Sequence, residues 1–473
     1  MNNAPFPLCL GIDGTLTLAR TSDELLLLAA KRSPAALWNS LVSSARSGRT
    51  APRPTSTRIL LDVNSLPFRG ALLEWLHAER SAGRRLVLVA DGDRVTAERI
   101  AAHLNLFDEI ANAQHHKGCP AECKRSALVT RFGERGFDYV GSSVADTIVW
   151  NASRRAIVVG DVGAGRRIDP NIEVMDVFPD IRVSLSTWIK AIRLHQWVKN
   201  SLIFVPAMLA HVISNPYVLL QGILAFVAYS LCASSVYVVN DLFDLTADRH
   251  HPRKRLRPFA AGLLSVRSGL AAALLLFIAA TIIAVFVSGR FFAVLAVYYA
   301  LTWTYALRLK HVPLLDVMML AGLYTLRIIA GAAAMQIPLS FWLLAFSVFM
   351  FLSLGFVKRY AELDDSRNAG QLISHSRGYR EGDLPLIMNL GTAAGYCAIV
   401  VMALYINSPD SQSLYLHHKP LWLICPLMLF WISRVWIVAS RGAMHDDPVV
   451  FALRDRVSLL ILAALGVIVL VSI

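Results

Sequence analysis

Charge is what this sequence has least of. Asp, Glu, Lys and Arg together make up 17% of its 473 residues, where a soluble protein carries about a quarter. With 55% hydrophobic residues and a positive mean hydropathy, a chain folded wholly in water is excluded. Acids are scarcer than bases, 33 against 46, which leaves a formal net charge of +13. Such an excess suits phosphorylated substrates or acidic lipid headgroups. Nucleic acid is not an expected partner, because the basic residues lie in short loops between apolar runs and form no continuous polar surface. Cysteine is sparse too. Cys9, Cys119, Cys123, Cys232, Cys397 and Cys425 are too scattered for a disulfide framework, and the last three, inside apolar runs, read as packed thiols. His115, His116, Cys119 and Cys123 are zinc-type ligands, but no second pair follows at finger-like spacing. The N-terminus has no basic region before its short apolar stretch, which is broken at Asp13. A cleaved signal peptide is therefore not expected, and the N-terminal half is expected in the cytosol.

Two or three domains fit the length, and the chain divides by solvent. Residues 1–180 read as a soluble α/β domain. Apolar strands at Phe6–Ile12, Arg85–Val89, Tyr139–Gly141 and Ala156–Gly160 alternate with amphipathic stretches such as Val95–Leu104, the pattern of a parallel sheet with flanking helices. Ser43–Thr57, rich in Arg, Pro, Ser and Thr, reads as a loop or insertion. Residues 184–473 read as an all-α membrane domain. Nine apolar runs follow one another: Ser201–Ile213, Val218–Val239, Leu270–Val287, Phe291–Leu307, Leu314–Met335, Phe341–Val357, Leu386–Ile406, Leu421–Ala439 and Leu459–Ile473. Most approach the ~20 residues that span a ~30 Å hydrocarbon core. Basic residues crowd the loops after the second and sixth runs, while the Ser214–Tyr217 loop has none. The positive-inside rule puts the basic loops, and with them the α/β domain, on the cytoplasmic side.

The most informative stretch ends the second run: Asn240, Asp241, Asp244 and Asp248. Offsets of three and four put the three acids on one helix face. They repel one another unless a cation intervenes, and hard oxygen ligands suit Mg²⁺, which commonly joins carboxylates to substrate phosphates. Arg253, Lys254, Arg255 and Arg257 follow at once and offer donors for phosphate oxygens. The bland alternative, a solvated helix end before a topogenic loop, accounts for the bases but not for aspartates at this spacing. A second cluster comprises Lys358, Arg359, Glu362, Arg377 and Tyr379; Lys199 opens the first run, beside Trp197, which reads as an interface anchor. Tyr324 and Arg327 lie within the fifth run, where an ionisable residue is costly and faces a cavity or a partner.

These motifs resemble the UbiA superfamily of intramembrane prenyltransferases, and within it the decaprenyl-phosphate phosphoribosyltransferases. The carriers are HQWVKN (His195–Asn200), NDLFDLTADRHHPRKRLRPFAAG (Asn240–Gly262), TLRIIAGAAAMQIPLS (Thr325–Ser340) and KRYAEL (Lys358–Leu363). The resemblance implies a Mg²⁺-dependent enzyme of the bacterial inner membrane. It would transfer 5-phosphoribose from phosphoribosyl pyrophosphate (PRPP) to a polyprenyl phosphate, in a pentose-donor pathway for cell-envelope glycans. Asp241, Asp244 and Asp248 would then serve the metal, with Asn240 in support. Lys199 would meet the lipid phosphate, and Lys254, Arg257, Lys358 and Arg359 the remaining phosphates. Arg253, Arg255, Tyr324, Arg327, Arg377 and Tyr379 complete the substrate-binding set, and Glu362 would serve a sugar hydroxyl or the metal, or orient Lys358. Relatives that prenylate aromatic rings carry a second acidic motif where this chain has the mixed Lys358–Asp365 segment, which favours a second phosphate-bearing substrate. Two alternatives stand beside this reading: prenyl transfer from a polyprenyl diphosphate to an aromatic or polar acceptor, and a non-catalytic lipid or phosphate transporter.

LGIDGTLT (Leu10–Thr17) resembles the opening motif of the haloacid-dehalogenase (HAD) phosphatases. Gly11 stands where the nucleophilic aspartate belongs, Ala90 where a Ser or Thr is usual, and Ser142 at an acidic metal-ligand position; Asp13 and Asp146 are kept, and Lys117 or Lys124 is the candidate lysine. Without a carboxylate at position 11 there is no phosphoryl acceptor, so an inactive HAD-like domain is expected.

Overall fold

The computed structural model describes residues 5–32, 60–90, 94–113, 120–160, 162–165, 167–180, 183–368, 378–444 and 447–473. Ser43–Thr57, His115, His116, Lys117, Cys119 and Arg377 lie outside the described residues. The chain forms two compact units, one of Met1–Ile192 with Val238–Ala272 and the other of Arg193–Tyr237 with Ala273–Ile473.

The first unit is built on six strands: β1 (Leu8–Gly11), β2 (Leu86–Ala90), β3 (Glu109–Asn112), β4 (Asp138–Gly141), β5 (Arg155–Gly160) and β6 (Glu173–Pro179). Every pairing is parallel, in the order β3-β2-β1-β4-β5-β6. β1 and β2 are buried throughout, as a sheet covered on both faces requires of LCLG and LVLVA. Alternation sends Leu8, Leu10, Leu86 and Leu88 into one apolar layer and Cys9, Val87 and Val89 into the other. Helices α1 (Thr21–Arg32), α2 (Gly70–Ser81), α3 (Arg94–Leu104) and α4 (Pro120–Phe132) connect and flank the strands. β3 and β6 had no counterpart among the predicted strands. β6 is an edge strand with much of its surface exposed, so it lacks the continuous apolar signature of the central ones. The strand order reverses between β1 and β4, the switch point where such sheets leave a crevice.

Among the described residues, seven helices are long and apolar enough to cross a membrane: α5 (Pro216–Phe243), α6 (Val266–Val287), α7 (Gly289–Leu307), α8 (Leu315–Met335), α9 (Phe341–Asn368), α10 (Leu384–Ile406, entered through a turn from Glu381) and α11 (Ile424–Ser440, entered from Pro420). On α6, Leu275 is 67% and Phe286 82% exposed, a surface that water does not tolerate at this length. The protein is an integral membrane protein. The count of nine is not reached among the described residues, for local reasons at either end. The first apolar run falls within a 3-10 helix (Leu194–Phe204) and a five-residue α-helix (Val205–Leu209), after which His211 turns the chain at φ 55°. The last run forms α12 (Arg456–Ser472), apolar but 17 residues long.

Within the second unit, α8 carries Ala330, Gly331, Ala332 and Ala334, small residues of the kind that let backbones approach in a membrane. A Cβ on Gly331 would lie 1.9 Å from the Ile203 carbonyl oxygen. That approach fixes the 3-10 segment, and with it Lys199 and Asn200, against α8.

Candidate functional site

Chemistry-bearing side chains gather in three places, two in the first unit and one in the second. In the first unit, α5 ends at Phe243 and a short helix, Leu245–His250, begins after Asp244, whose φ and ψ are −99° and 13°. The helix expected to be continuous is interrupted here, since the Asp244 backbone departs from helical values, while the Asp244 N–H still donates to the Asn240 carbonyl at 2.9 Å and the Asp248 N–H to the Asp244 carbonyl at 2.8 Å. Asp241 and Asp248 are buried, and Arg257 joins them, its Nη1 donating to Asp241 Oδ1 at 3.1 Å and to Asp248 Oδ2 at 2.6 Å. Asp244 is half-buried and pairs with Lys31 at 3.5 Å. Asn240 is half-buried; Arg253, Lys254 and Arg255 are exposed.

Among the described residues no three His, Cys, Asp or Glu side chains form a preformed metal cage. Mg²⁺ does not need one, since it is commonly held by one or two carboxylates plus substrate phosphates and water. Two carboxylates that share one guanidinium nitrogen are a fitting donor set. Arg257 stands there as the resident cation.

In the second unit, Lys199 and Lys358 converge on Asp447. Their Nζ atoms lie 2.7 and 3.3 Å from Asp447 Oδ2, and the Tyr324 hydroxyl donates to Asp447 Oδ1 at 3.0 Å. Among the described residues, two lysines face one carboxylate here, which makes the cluster cationic. Burial pulls the Lys199 ammonium down to about 8, with Lys358 and Arg327 adding to the effect and Asp447 opposing it. Burial alone would raise the Asp447 carboxyl, but Lys358 and Lys199 hold it well below the usual carboxylate range. Sequence reading missed Asp447. Its one local signal is its place before Pro448, where it caps the helix Pro448–Ala452 by accepting from the Val449 N–H. Its lysines lie far away in sequence.

Arg327 and Arg359 are held differently. Arg327 is buried, donates from Nε to Asn200 Oδ1 at 2.9 Å and from Nη1 to the Leu323 carbonyl at 2.6 Å, and lies over the rings of Tyr229, Tyr298 and Tyr324. Asn200 in turn donates to Ser230 at 2.8 Å. Arg359 pairs with buried Asp316 at 2.5 Å and also contacts Glu362 and Tyr305. Tyr379 donates to the same Asp316 at 2.6 Å. Both guanidinium groups are thus engaged by protein partners. Trp197, read as an interface anchor, donates to Ser234 at 2.9 Å.

A cavity of about 1290 Å³ opens in the same unit. Its lining is almost wholly apolar and includes Val198, Leu202, Phe351 and Val449, so it runs past neighbours in sequence of Lys199 and Asp447.

At the switch point of the sheet, a third set of polar residues comes together. Lys124 Nζ lies 3.6 Å from Asp146 Oδ1, Thr15 donates to Ser142 at 3.1 Å, and Asp13 Oδ1 accepts from the Thr21 backbone and hydroxyl at 2.8 and 2.7 Å. A Cβ at Gly11 would meet Thr15, Tyr139 and Lys124 at ordinary contact distances, 3.6 to 3.7 Å.

Comparison with known proteins adds three relatives and a family. The model of the "UbiA prenyltransferase family" matches residues 201–470. "Uncharacterized protein y4nM" of Sinorhizobium fredii is 35% identical over 96% of this chain and 88% of its own. "Nodulation protein NoeC" of Azorhizobium caulinodans is 36% identical over 60% of this chain and 92% of its own. "Decaprenyl-phosphate phosphoribosyltransferase" of Mycolicibacterium smegmatis is 33% identical over 60% of this chain and 92% of its own. About two fifths of this chain therefore has no counterpart in the latter two.

Removing Asp447 would leave two lysines facing each other, one of them buried. Breaking a buried pair from one side costs ~3–5 kcal/mol, so Asp447→Ala is expected to lower the unfolding temperature of the detergent-solubilised protein clearly. An unchanged melt would show that the lysines do not depend on Asp447.

Proposed function

This chain belongs to the UbiA prenyltransferase family, and from that premise we propose that it transfers 5-phosphoribose from PRPP to a polyprenyl phosphate. A phosphate oxygen of the lipid attacks C1 of the ribose, the C1–O bond to diphosphate breaks, and a C1–O–P linkage forms. The lipid phosphate is ionised at neutral pH, so no general base is required, and positioning supplies most of the rate. The observation that carries the lipid part is the apolar cavity whose lining includes Val198 and Val449, the immediate neighbour of Lys199 and a near neighbour of Asp447, in a cluster with net positive charge. It suits a long apolar chain with an anionic head. The ribosyl part is supported by the mixed Lys358–Asp365 segment and by relatives that carry the phosphoribosyltransferase name.

Lys199 and Lys358 are assigned to the lipid phosphate, with Tyr324 and Asp447 orienting them. Asp241 and Asp248, supported by Asn240 and Asp244, would hold Mg²⁺, which when bound neutralises charge on the departing diphosphate. Arg257 is then free to meet a phosphate oxygen, and exposed Arg253, Lys254 and Arg255 offer the outer donors. Arg327, Arg359 and Tyr379 act as buttresses, since their donors are used inside the protein; Glu362 orients Arg359. The inner membrane, with residues 1–180 in the cytosol, is the proposed setting, and residues 184–473 are the proposed transferase domain.

Residues 1–180 are proposed to be HAD-like and without phosphatase activity. Gly11 supplies no carboxylate, and Lys124 is occupied by Asp146. The full-length protein with Mg²⁺ is expected to leave p-nitrophenyl phosphate intact; hydrolysis lost on Asp13→Asn would refute this.

Membranes given radiolabelled PRPP and a polyprenyl phosphate are expected to yield labelled lipid, abolished by chelator. Asp241→Ala and Asp248→Ala are each expected to lower the rate by ~100-fold or more while the protein still folds. No labelled lipid, but prenylation of an added acceptor by a polyprenyl diphosphate, would favour ordinary prenyl transfer; no turnover of either kind would favour a transporter.

Burial lowers the Lys199 ammonium to about 8, so it loses its charge more readily than an ordinary lysine as pH rises. The KM for the polyprenyl phosphate is therefore expected to rise as pH passes through that value, and the rise should vanish in Lys199→Arg. A wild-type KM that stays flat from pH 7 to about 9.5 would remove Lys199 from the lipid site.

A further inference from the structure

Within the first unit, four charged contacts tie the α/β part to the segment that carries the acids. Glu24, at the start of α1, receives both Nη atoms of Arg249 at 2.9 and 2.5 Å, with the two side chains only 5% and 6% exposed. Nε of the same guanidinium donates to the Ala260 carbonyl at 3.0 Å. One arginine thus joins α1, the helix Leu245–His250 and the turn that follows Arg257. Asp23 pairs with Arg267 at 2.9 Å, Asp62 meets His250 at 2.6 Å, and Lys31 lies 3.5 Å from Asp244 while donating to the Phe243 carbonyl at 3.1 Å. Backbone packing tells the same story independently. Gly262 has φ +73°, and a Cβ there would lie 2.8 Å from Leu18 Cβ and 3.0 Å from Pro67 Cγ.

A buried ion pair is a poor source of net stability but a good device for fixing register, because either ion left alone is strongly unfavourable. Arg249 follows Asp248 directly on a helix of six residues. Any rotation that lets Arg249 escape to water also swings Asp248, one residue and about 100° away, off its contact with Arg257. The named phosphoribosyltransferase relative aligns over nearly all of its own length while matching 60% of this chain, so the brace is an addition to a transferase that exists without one.

We infer that the α/β domain is a positioning device for the transferase, with Glu24 as its principal contact: the Glu24–Arg249 pair holds segment 243–267 where Asp241 and Asp248 share one cation. Glu24, Asp23, Asp62 and Lys31 are positioning residues. This inference rests on the transferase reading for its purpose, but not for the brace itself.

The test uses full-length protein in nanodiscs, comparing wild type with Glu24→Gln, Arg249→Gln and the double variant. Hydrogen exchange over residues 245–262 is read without substrate, Mg²⁺ affinity by calorimetry, and the Mg²⁺ concentration for half-maximal transfer by the labelled-lipid assay. Each single variant is expected to speed exchange and weaken Mg²⁺ by ~10–100-fold, the usual effect of losing a residue that orients a ligand. The double variant is expected to be no worse than either single one, because both remove the same contact. Unchanged exchange in Glu24→Gln would overturn the brace; faster exchange with unchanged Mg²⁺ affinity would overturn its positioning role. Should Glu24→Gln fail to fold, Asp23→Asn, whose arginine partner is more exposed, carries the same readouts. Absence of labelled lipid in wild type would sink the transferase reading alone, leaving exchange and calorimetry to decide this one.

Discussion

A charge taken out of water must find an opposite charge or a set of polar partners within a few ångströms, and the polar architecture of this protein follows from that requirement. In the second unit Asp447 answers Lys199 and Lys358, and Asp316 answers Arg359. In the first, Arg257 answers Asp241 and Asp248, and Arg249 answers Glu24. Such pairs add little net stability, because desolvation offsets most of their attraction. What they do is fix geometry. They also leave a residue of charge, since two lysines share one carboxylate and two carboxylates share one guanidinium. One cluster is therefore disposed to take an anion and the other a cation, which are the two requirements of a lipid phosphate and a metal-bound diphosphate.

The solvent divides the molecule as firmly as charge does. A six-stranded parallel sheet buries both faces beneath its own helices and needs only water around it. The long helices show another habit: large apolar side chains such as Leu275 and Phe286 face outward, while the inward faces mix large apolar groups such as Phe356 and Trp436 with small residues where backbones approach closely. Gly331 illustrates the inward half of that rule, since its missing side chain admits the Ile203 backbone and so places Lys199. The large cavity in the same unit is lined with the same kind of apolar atoms that face lipid outside. A polyprenyl chain would find there a solvent much like the bilayer it leaves.

The α/β part carries a parallel sheet and, near its switch point, Gly11 and the Lys124–Asp146 pair. Its contacts with the acidic segment run through α1 and the turn at Asp62, and α1 is in turn joined to the residues near Gly11, since Thr21 at its start donates to Asp13.

Composition and periodicity sufficed for the division into an α/β part and a membrane part, for the parallel sheet, and for the acidic segment after the second apolar run, because each is written in neighbouring residues. Spans at the two ends were harder to count. Whether a short apolar run continues as one helix depends on backbone turns such as that at His211, and not on hydropathy. Partners distant in the chain were not legible at all. Asp447 lies 89 residues from Lys358, and Asp316 captures Arg359 from another helix, so a cation that looks available in the sequence turns out to be spoken for. The sequence by itself determined which charges exist and which stretches are apolar enough for a membrane. Only the tertiary structure decided which charges meet, because pairing depends on packing between helices, and local spacing carries no record of it.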